Sequence, residues 1–334
     1  MKIPNPFKLP GKVIKAALAI LLILAAWSVW NGRLSQNLDI NNKTVKLYDW
    51  PSQLEGLKVI QLSDFHFDKA KKNEAAHDAI VWAAKQDVDL IVLTGDYVND
   101  NASVDLALSE LAILGSARAK LGTYAVLGDW DYSVETKVNT EKLKAGLEDR
   151  NIKLLINEAR WLEVGSWGFW LVGIDTQGFN KDYPSITNSL QYTVADAPKI
   201  VLSHRQDIMD LLLRLNIRID LVLAGDTHGG QISLPLIGPV YANQVFGTKY
   251  VAGVYEVKRD DPGIEKRLAQ IGTQMFGDQV GKILDQGATA LEQAAKDQNP
   301  ITLFVSRGLG ENPHWPSMRF GVSPEATTLI LQSR

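Results

Sequence analysis

Five short apolar runs, each closed by an Asp or a His, constrain this chain more than any other feature. Leu57-Lys58-Val59-Ile60-Gln61-Leu62, Leu90-Ile91-Val92-Leu93, Tyr124-Ala125-Val126-Leu127, Ile200-Val201-Leu202 and Leu221-Val222-Leu223-Ala224 are short, rich in β-branched residues and bounded by Gly or Asp. Such runs read as buried strands. Ala75 to Lys85 and Val104 to Leu114 lie between the first three and carry helical spacing, which gives the order strand, helix, strand, helix, strand. A βαβ series of this kind predicts a mainly parallel sheet with its ligands at the carboxyl ends of the strands.

The residues that follow the runs are Ser63-Asp64-Phe65-His66, Gly95-Asp96, Gly128-Asp129-Trp130-Asp131, Ser203-His204 and Gly225-Asp226-Thr227-His228. A single Asp after a strand has a structural explanation, because Asp starts turns and caps helices. Five such ends in register, holding three of the five histidines of the chain, point instead to a dinuclear metal site. Carboxylates and imidazoles together suit Mn, Fe, Zn or Mg, and paired ions clamp a phosphoryl group and activate a water.

In order and spacing (D-x-H, G-D, G-N-H-D/E, H, G-H-x-H) the stretches resemble the calcineurin-like metallophosphoesterases, from about Leu57 to the C-terminus. Gly229-Gly230-Gln231 and Ser306-Arg307-Gly308-Leu309-Gly310 look like the membrane-associated branch of that family. That branch includes bacterial phosphodiesterases and the UDP-2,3-diacylglucosamine pyrophosphatases of the lipid A pathway. The resemblance implies that Asp64, His66 and His228 hold one divalent ion and that Asp96 bridges to a second. Asp129, Asp226 and His204 would complete the second position, with Asp131 behind them holding the loop.

Three positions depart from the family pattern. Asp129 and Asp226 stand where it has Asn and His; each adds a negative charge, so Mn is expected, with Mg or Fe favoured over Zn. Trp130 stands where it has the His that protonates the leaving group, and indole offers one N–H and no usable acid. An alkyl phosphate monoesterase would lose about 10²- to 10⁴-fold without that acid. A phosphodiester or phosphoanhydride with a good leaving group needs little protonation. The expected function is therefore metal-dependent hydrolysis of such a bond, in a membrane lipid, a nucleotide-lipid or another phosphate-containing small molecule. The alternative is a membrane-tethered relative that binds phosphate ligands with weakened turnover. Arg205 is either a bidentate phosphate contact or a solvated arginine. Of the spare histidines, His77 lies on a helix, and His314 lies in the loop Asn312-Pro313-His314-Trp315-Pro316.

Lys153 to Ile156 and Phe169 to Val172 are spaced as a second sheet, joined by strands near Val251 to Val257, Ile301 to Val305 and Thr327 to Leu331. Two mixed sheets face to face with helices outside give an α/β four-layer αββα sandwich, as in the family. The expected organisation is an N-terminal segment at 1–30, a linker and leading strand at 31–56, and a phosphoesterase domain at 57–334 with a helical insertion at 258–299. A net charge of −3 offers no electrostatic footprint for nucleic acid. The absence of cysteine excludes disulfides and thiolate metal sites.

Lys2, Lys8, Lys12 and Lys15 precede an uncharged run from Ala16 to Trp30 that closes on Trp27 and Trp30. This reads as a single-pass anchor in the inner or cytoplasmic membrane, with the lysines inside and the catalytic domain periplasmic. A cleaved secretory peptide shares the pattern, but Ala26-Trp27-Ser28 is a poor cleavage site.

Overall fold

The computed structural model describes residues 15, 37–175, 189–190, 193–213, 215, 217–234, 236–240, 249–259, 299–313 and 318–334. Twelve strands build its two main sheets: β1 (Asp39–Leu47), β2 (Lys58–Leu62), β3 (Leu90–Thr94), β4 (Thr123–Val126), β5 (Ile152–Leu154), β6 (Glu158–Val164), β7 (Trp167–Ile174), β8 (Lys199–Ser203), β9 (Leu221–Ala224), β10 (Gly253–Val257), β11 (Ile301–Val305) and β12 (Glu325–Ser333). The first sheet has the order β1-β12-β2-β3-β4-β5 and the second β10-β11-β9-β8-β7-β6. β2 to β5 run parallel, as do β7, β8, β9 and β11, so both parallel sets present their carboxyl ends along one edge.

Side-chain alternation sorts each strand between two cores. Val59, Leu90, Val92, Tyr124 and Val126 meet Phe169, Leu171, Ile200, Leu202, Leu221 and Leu223 between the sheets. Their neighbours Ile60, Leu62, Ile91, Leu93 and Ala125 face outward onto α1 (Glu74–Ala84), α2 (Val104–Leu111) and α3 (Thr140–Glu148). On the far side Val172, Val201, Val222 and Leu303 pack on α4 (Ile208–Leu212). The result is four layers, helix, sheet, sheet and helix, and each buried aliphatic side chain contributes roughly 1.5–3 kcal/mol. α1 starts where the Asn73 side chain accepts the Ala76 N–H at 3.0 Å, and α3 where Asn139 accepts that of Lys142 at 3.0 Å.

Two strands change sheets relative to expectation. The Lys153 segment pairs with β4 in the first sheet, because α3 returns the chain for one more parallel crossover there. Thr327 to Leu331 also joins the first sheet, antiparallel to β2 and parallel to the leading strand β1. The second sheet takes β6 as its edge in their place. β6 carries Glu158, Arg160 and Glu163 and is mostly solvent-facing, so no apolar run announces it.

The single-pass anchor expected at 1–30 is corrected, and with it the membrane placement and the periplasmic domain that depended on it. Among the described residues no helix is long and apolar enough to cross a membrane. The uncharged run from Ala16 to Trp30 falls short of the roughly 20 residues that a spanning helix needs, and it lies outside the described residues. The expected insertion lies outside them as well, apart from Lys258, Arg259 and Asn299, and so does His314.

Candidate metal centre

The chain turns sharply as it leaves β2, β3 and β9. Asp64, His66, Asp96, Asp226 and His228 all have positive φ, between 46° and 70°. Asp and His enter this left-handed region more readily than most side chains, and held there they mark functional sites. The turns interlock through the backbone: Asp64 N–H donates to Gly95 O at 2.9 Å, His66 N–H to Asp96 O at 2.9 Å and Gly225 N–H to His204 O at 2.8 Å. Close approach fixes two glycines. A Cβ at Gly128 would lie 2.2 Å from Asp96 Oδ1, and one at Gly308, where φ is +67°, would lie 2.6 Å from the Asp64 Cβ.

Asp64, His66, Asp96 and His228 are buried, and their ligand atoms lie within 4.8 Å of one another. His66 Nδ1–H donates to Asn99 Oδ1 at 2.8 Å, and His228 Nδ1–H donates to the Gly310 carbonyl at 3.2 Å. With those protons in use, the two Nε2 lone pairs face each other 3.2 Å apart. Asp64 Oδ2 is buried without a hydrogen-bond partner, and its Oδ1 lies 3.6 Å from His228 Nε2. Facing lone pairs beside an unpartnered carboxylate oxygen are repulsive alone and attractive around a cation.

The second histidine position adjoins the same carboxylate. His204 Nδ1–H donates to Thr94 O at 2.7 Å, which aims Nε2 at Asp96 Oδ2, 3.2 Å away, and at Asp226 Oδ1, 3.9 Å away. Asp96 Oδ2 also lies 3.4 Å from His66 Nε2, so one oxygen sits between two imidazoles.

Protonation follows from burial and charge. Burial pushes the Asp64 carboxyl up and holds His66 below its ordinary value. Burial and the His66 charge hold His228 well below. Burial also raises Asp96, but His204 and His66 outweigh it and bring its carboxyl below the usual range. His204 is opposed by burial, yet Asp96, Asp64 and Asp226 hold it well above a free imidazole. Burial lifts Asp226 well above the carboxylate range. Such a cluster keeps a proton on His204 to balance its carboxylates. A divalent ion takes that proton's place, because metal ligands bind deprotonated. The residues therefore fit divalent metal.

Asp131 is fully buried and accepts N–H groups from Gly128 at 2.8 Å, Asp96 at 3.0 Å and Tyr97 at 2.8 Å. Burial and the Asp96 charge push it up to about 8, against the opposing pull of those donors. Trp130 donates its backbone N–H to Asp96 Oδ1 at 2.9 Å and sets its ring edge-on to His66 with centroids 5.9 Å apart. Asp129 stands apart from the buried group: its side chain is 47% exposed, and its Oδ2 lies 3.4 Å from Arg205 Nη1.

Two neighbours of the cluster escape a reading by strand ends. Asn99 orients His66, and an Asn three residues after the strand-end Asp96 is its only local signal. Arg319 is buried, and burial lowers its guanidinium to about 10. It donates to the His228 carbonyl at 3.3 Å across 91 residues of sequence, so no spacing could reveal it. Groups that orient a metal-binding imidazole are worth about 10- to 100-fold in affinity. Asn99→Ala is expected to weaken Mn binding in that range with little change in melting temperature, measured by calorimetric titration. An unchanged affinity would show that His66 is oriented without Asn99.

Residues 57–230 match the family model described as calcineurin-like phosphoesterase. Phosphodiesterase YaeI of Escherichia coli (strain K12) is 31% identical over 198 residues, covering 59% of this chain and 69% of that protein. The uncharacterized metallophosphoesterase YkoQ of Bacillus subtilis (strain 168) is 28% identical over 222 residues, covering 66% and 79%. The solved structure of the Haemophilus influenzae NAD nucleotidase (NadN) superposes with a TM-score of 0.40 at 16% identity. It covers 60% of this chain, which spans about half (48%) of that one, too loose a likeness to bear on activity. The family match runs over just over half of the chain and makes the protein a member of the calcineurin-like phosphoesterases, a metal-dependent hydrolase of phosphoric esters.

Proposed function

We propose that this chain hydrolyses phosphodiesters or phosphoanhydrides with good leaving groups, including lipid-linked and nucleotide-lipid substrates. The observation that supports a two-ion site is Asp96 Oδ2, which lies 3.4 Å from His66 Nε2 and 3.2 Å from His204 Nε2. Asp64, His66, Asp96 and His228 would hold the first ion. Asp96, His204, Asp226 and Asp129 would hold the second. When bound, two divalent ions, Mn first and Mg, Fe or Zn otherwise, supply Lewis-acid stabilisation and a water of lowered pKa.

The chain's own residues do the rest. Asp131 fixes the backbone of Asp96 and Gly128, which sets the bridging carboxylate against both imidazoles. Trp130 brings no acid to the mouth, so the leaving oxygen departs unprotonated, which favours diesters and anhydrides. The Escherichia coli relative named a phosphodiesterase supports that class.

Trp130→His tests the reading. It is expected to raise turnover of an alkyl monoester such as glycerol phosphate by about 10²-fold. Turnover of bis-p-nitrophenyl phosphate should stay within a few fold. An unchanged ratio of the two would contradict the assignment of substrate class to position 130.

A further inference from the structure

Asp129 and Asp226 are carboxylates where the resembled pattern has neutral Asn and His, and Arg205 follows His204 directly in sequence. The fold brings Arg205 against Asp129. Arg205 Nη1 lies 3.4 Å from Asp129 Oδ2, and its positive charge acts on Asp226. The guanidinium does not swing freely. Its Nε donates to both oxygens of Asp207 at 3.1 Å, its Nη2 donates to the same carboxylate, and Asp207 is buried. Arg205 itself is 19% exposed. Arginine carries its charge at any working pH and in a fixed fork, so this is a permanent cation clamped beside the two extra anions. At the first position the buried Arg319 bonds the Gly310, His228 and Arg307 carbonyls and lies 3.4 Å from His228 Nδ1, the ring nitrogen opposite the one that faces Asp64.

We propose that Arg205 is a built-in counter-cation of the second metal position. It competes with an incoming ion for Asp129 and Asp226, so the first ion is held tightly and the second weakly. The arginine, itself held by Asp207, then offsets part of the negative charge that the two added carboxylates bring to the second position. This rests on the two-ion reading above and specifies how unequal the two positions are.

Calorimetric titration of the metal-stripped full chain with Mn, paired with Mn electron paramagnetic resonance, tests it on wild type, Arg205→Gln and Arg205→Lys. Wild type is expected to bind one tight equivalent and a second at least about tenfold weaker. Arg205→Gln should tighten the second by about tenfold or more, as expected from removing a unit charge a few ångströms away. Arg205→Lys keeps the charge and should keep the second position weak. A first equivalent of wild-type affinity in each variant reports an intact fold. Two equal equivalents in wild type, or a second position unchanged or weaker in Arg205→Gln, would overturn the inference. If no protein binds Mn at all, the two-ion reading itself fails.

Discussion

Asp96→Ala is expected to lower metal-dependent hydrolysis of bis-p-nitrophenyl phosphate by roughly 10³-fold or more, at or beyond the upper end of what one electrostatic donor contributes. Two connections are lost at once. The carboxylate between His66 and His204 disappears, and so does the acceptor for the Trp130 N–H. Both ions would lose a shared ligand, so metal content should fall with turnover. The fold should survive, because the backbone N–H of residue 96 keeps its Asp131 partner. A variant that retains more than a tenth of wild-type turnover, with metal bound, would show that Asp96 is not shared between the two positions.

The largest expected loss of stability is at Asp131. Asp131→Ala would strand three buried N–H groups, those of Gly128, Asp96 and Tyr97, at about 1–3 kcal/mol each. Relief from burying a carboxyl already pushed up to about 8 offsets part of this. A net loss of roughly 3–5 kcal/mol is expected from the three stranded donors, against a total of about 5–15 kcal/mol for a folded domain. Urea denaturation of the metal-free protein would measure it. Asp131→Asn, which keeps an acceptor oxygen, should lose less than Asp131→Ala. A loss below about 1 kcal/mol for Asp131→Ala would mean that water satisfies the three donors.

The strand ends were legible because their signal is local. A β-branched run that stops at Gly-Asp or Ser-His is readable without any partner, and Lys58–Leu62, Leu90–Thr94 and Leu221–Ala224 lie within a residue of the expected bounds at either end. The four-layer architecture follows from the same runs, because strands apolar on both faces need a core on each side. What was not legible depends on pairing over distance. β12 is mostly buried, like the inner second-sheet strands, and only its register with Asp39–Leu47 and Lys58–Leu62 assigns it to the first. β6 has an exposed edge and no apolar run to find. Asn99, Arg319 and the Arg205–Asp129 contact depend on loops meeting from separate strands. The positive φ angles at Asp64 and Asp96 were open to Asp by residue type, but any turn could have used them.

Chelation and reconstitution of the purified chain test most directly whether the cluster of Asp64, His66, Asp96 and His228 is a hydrolytic metal centre. Hydrolysis of bis-p-nitrophenyl phosphate should be lost after EDTA treatment and removal of the chelator, and should return when Mn is added to wild type but not to Asp96→Ala. Turnover that survives complete metal removal, or none at all from wild type with Mn bound at stoichiometry, would contradict the account.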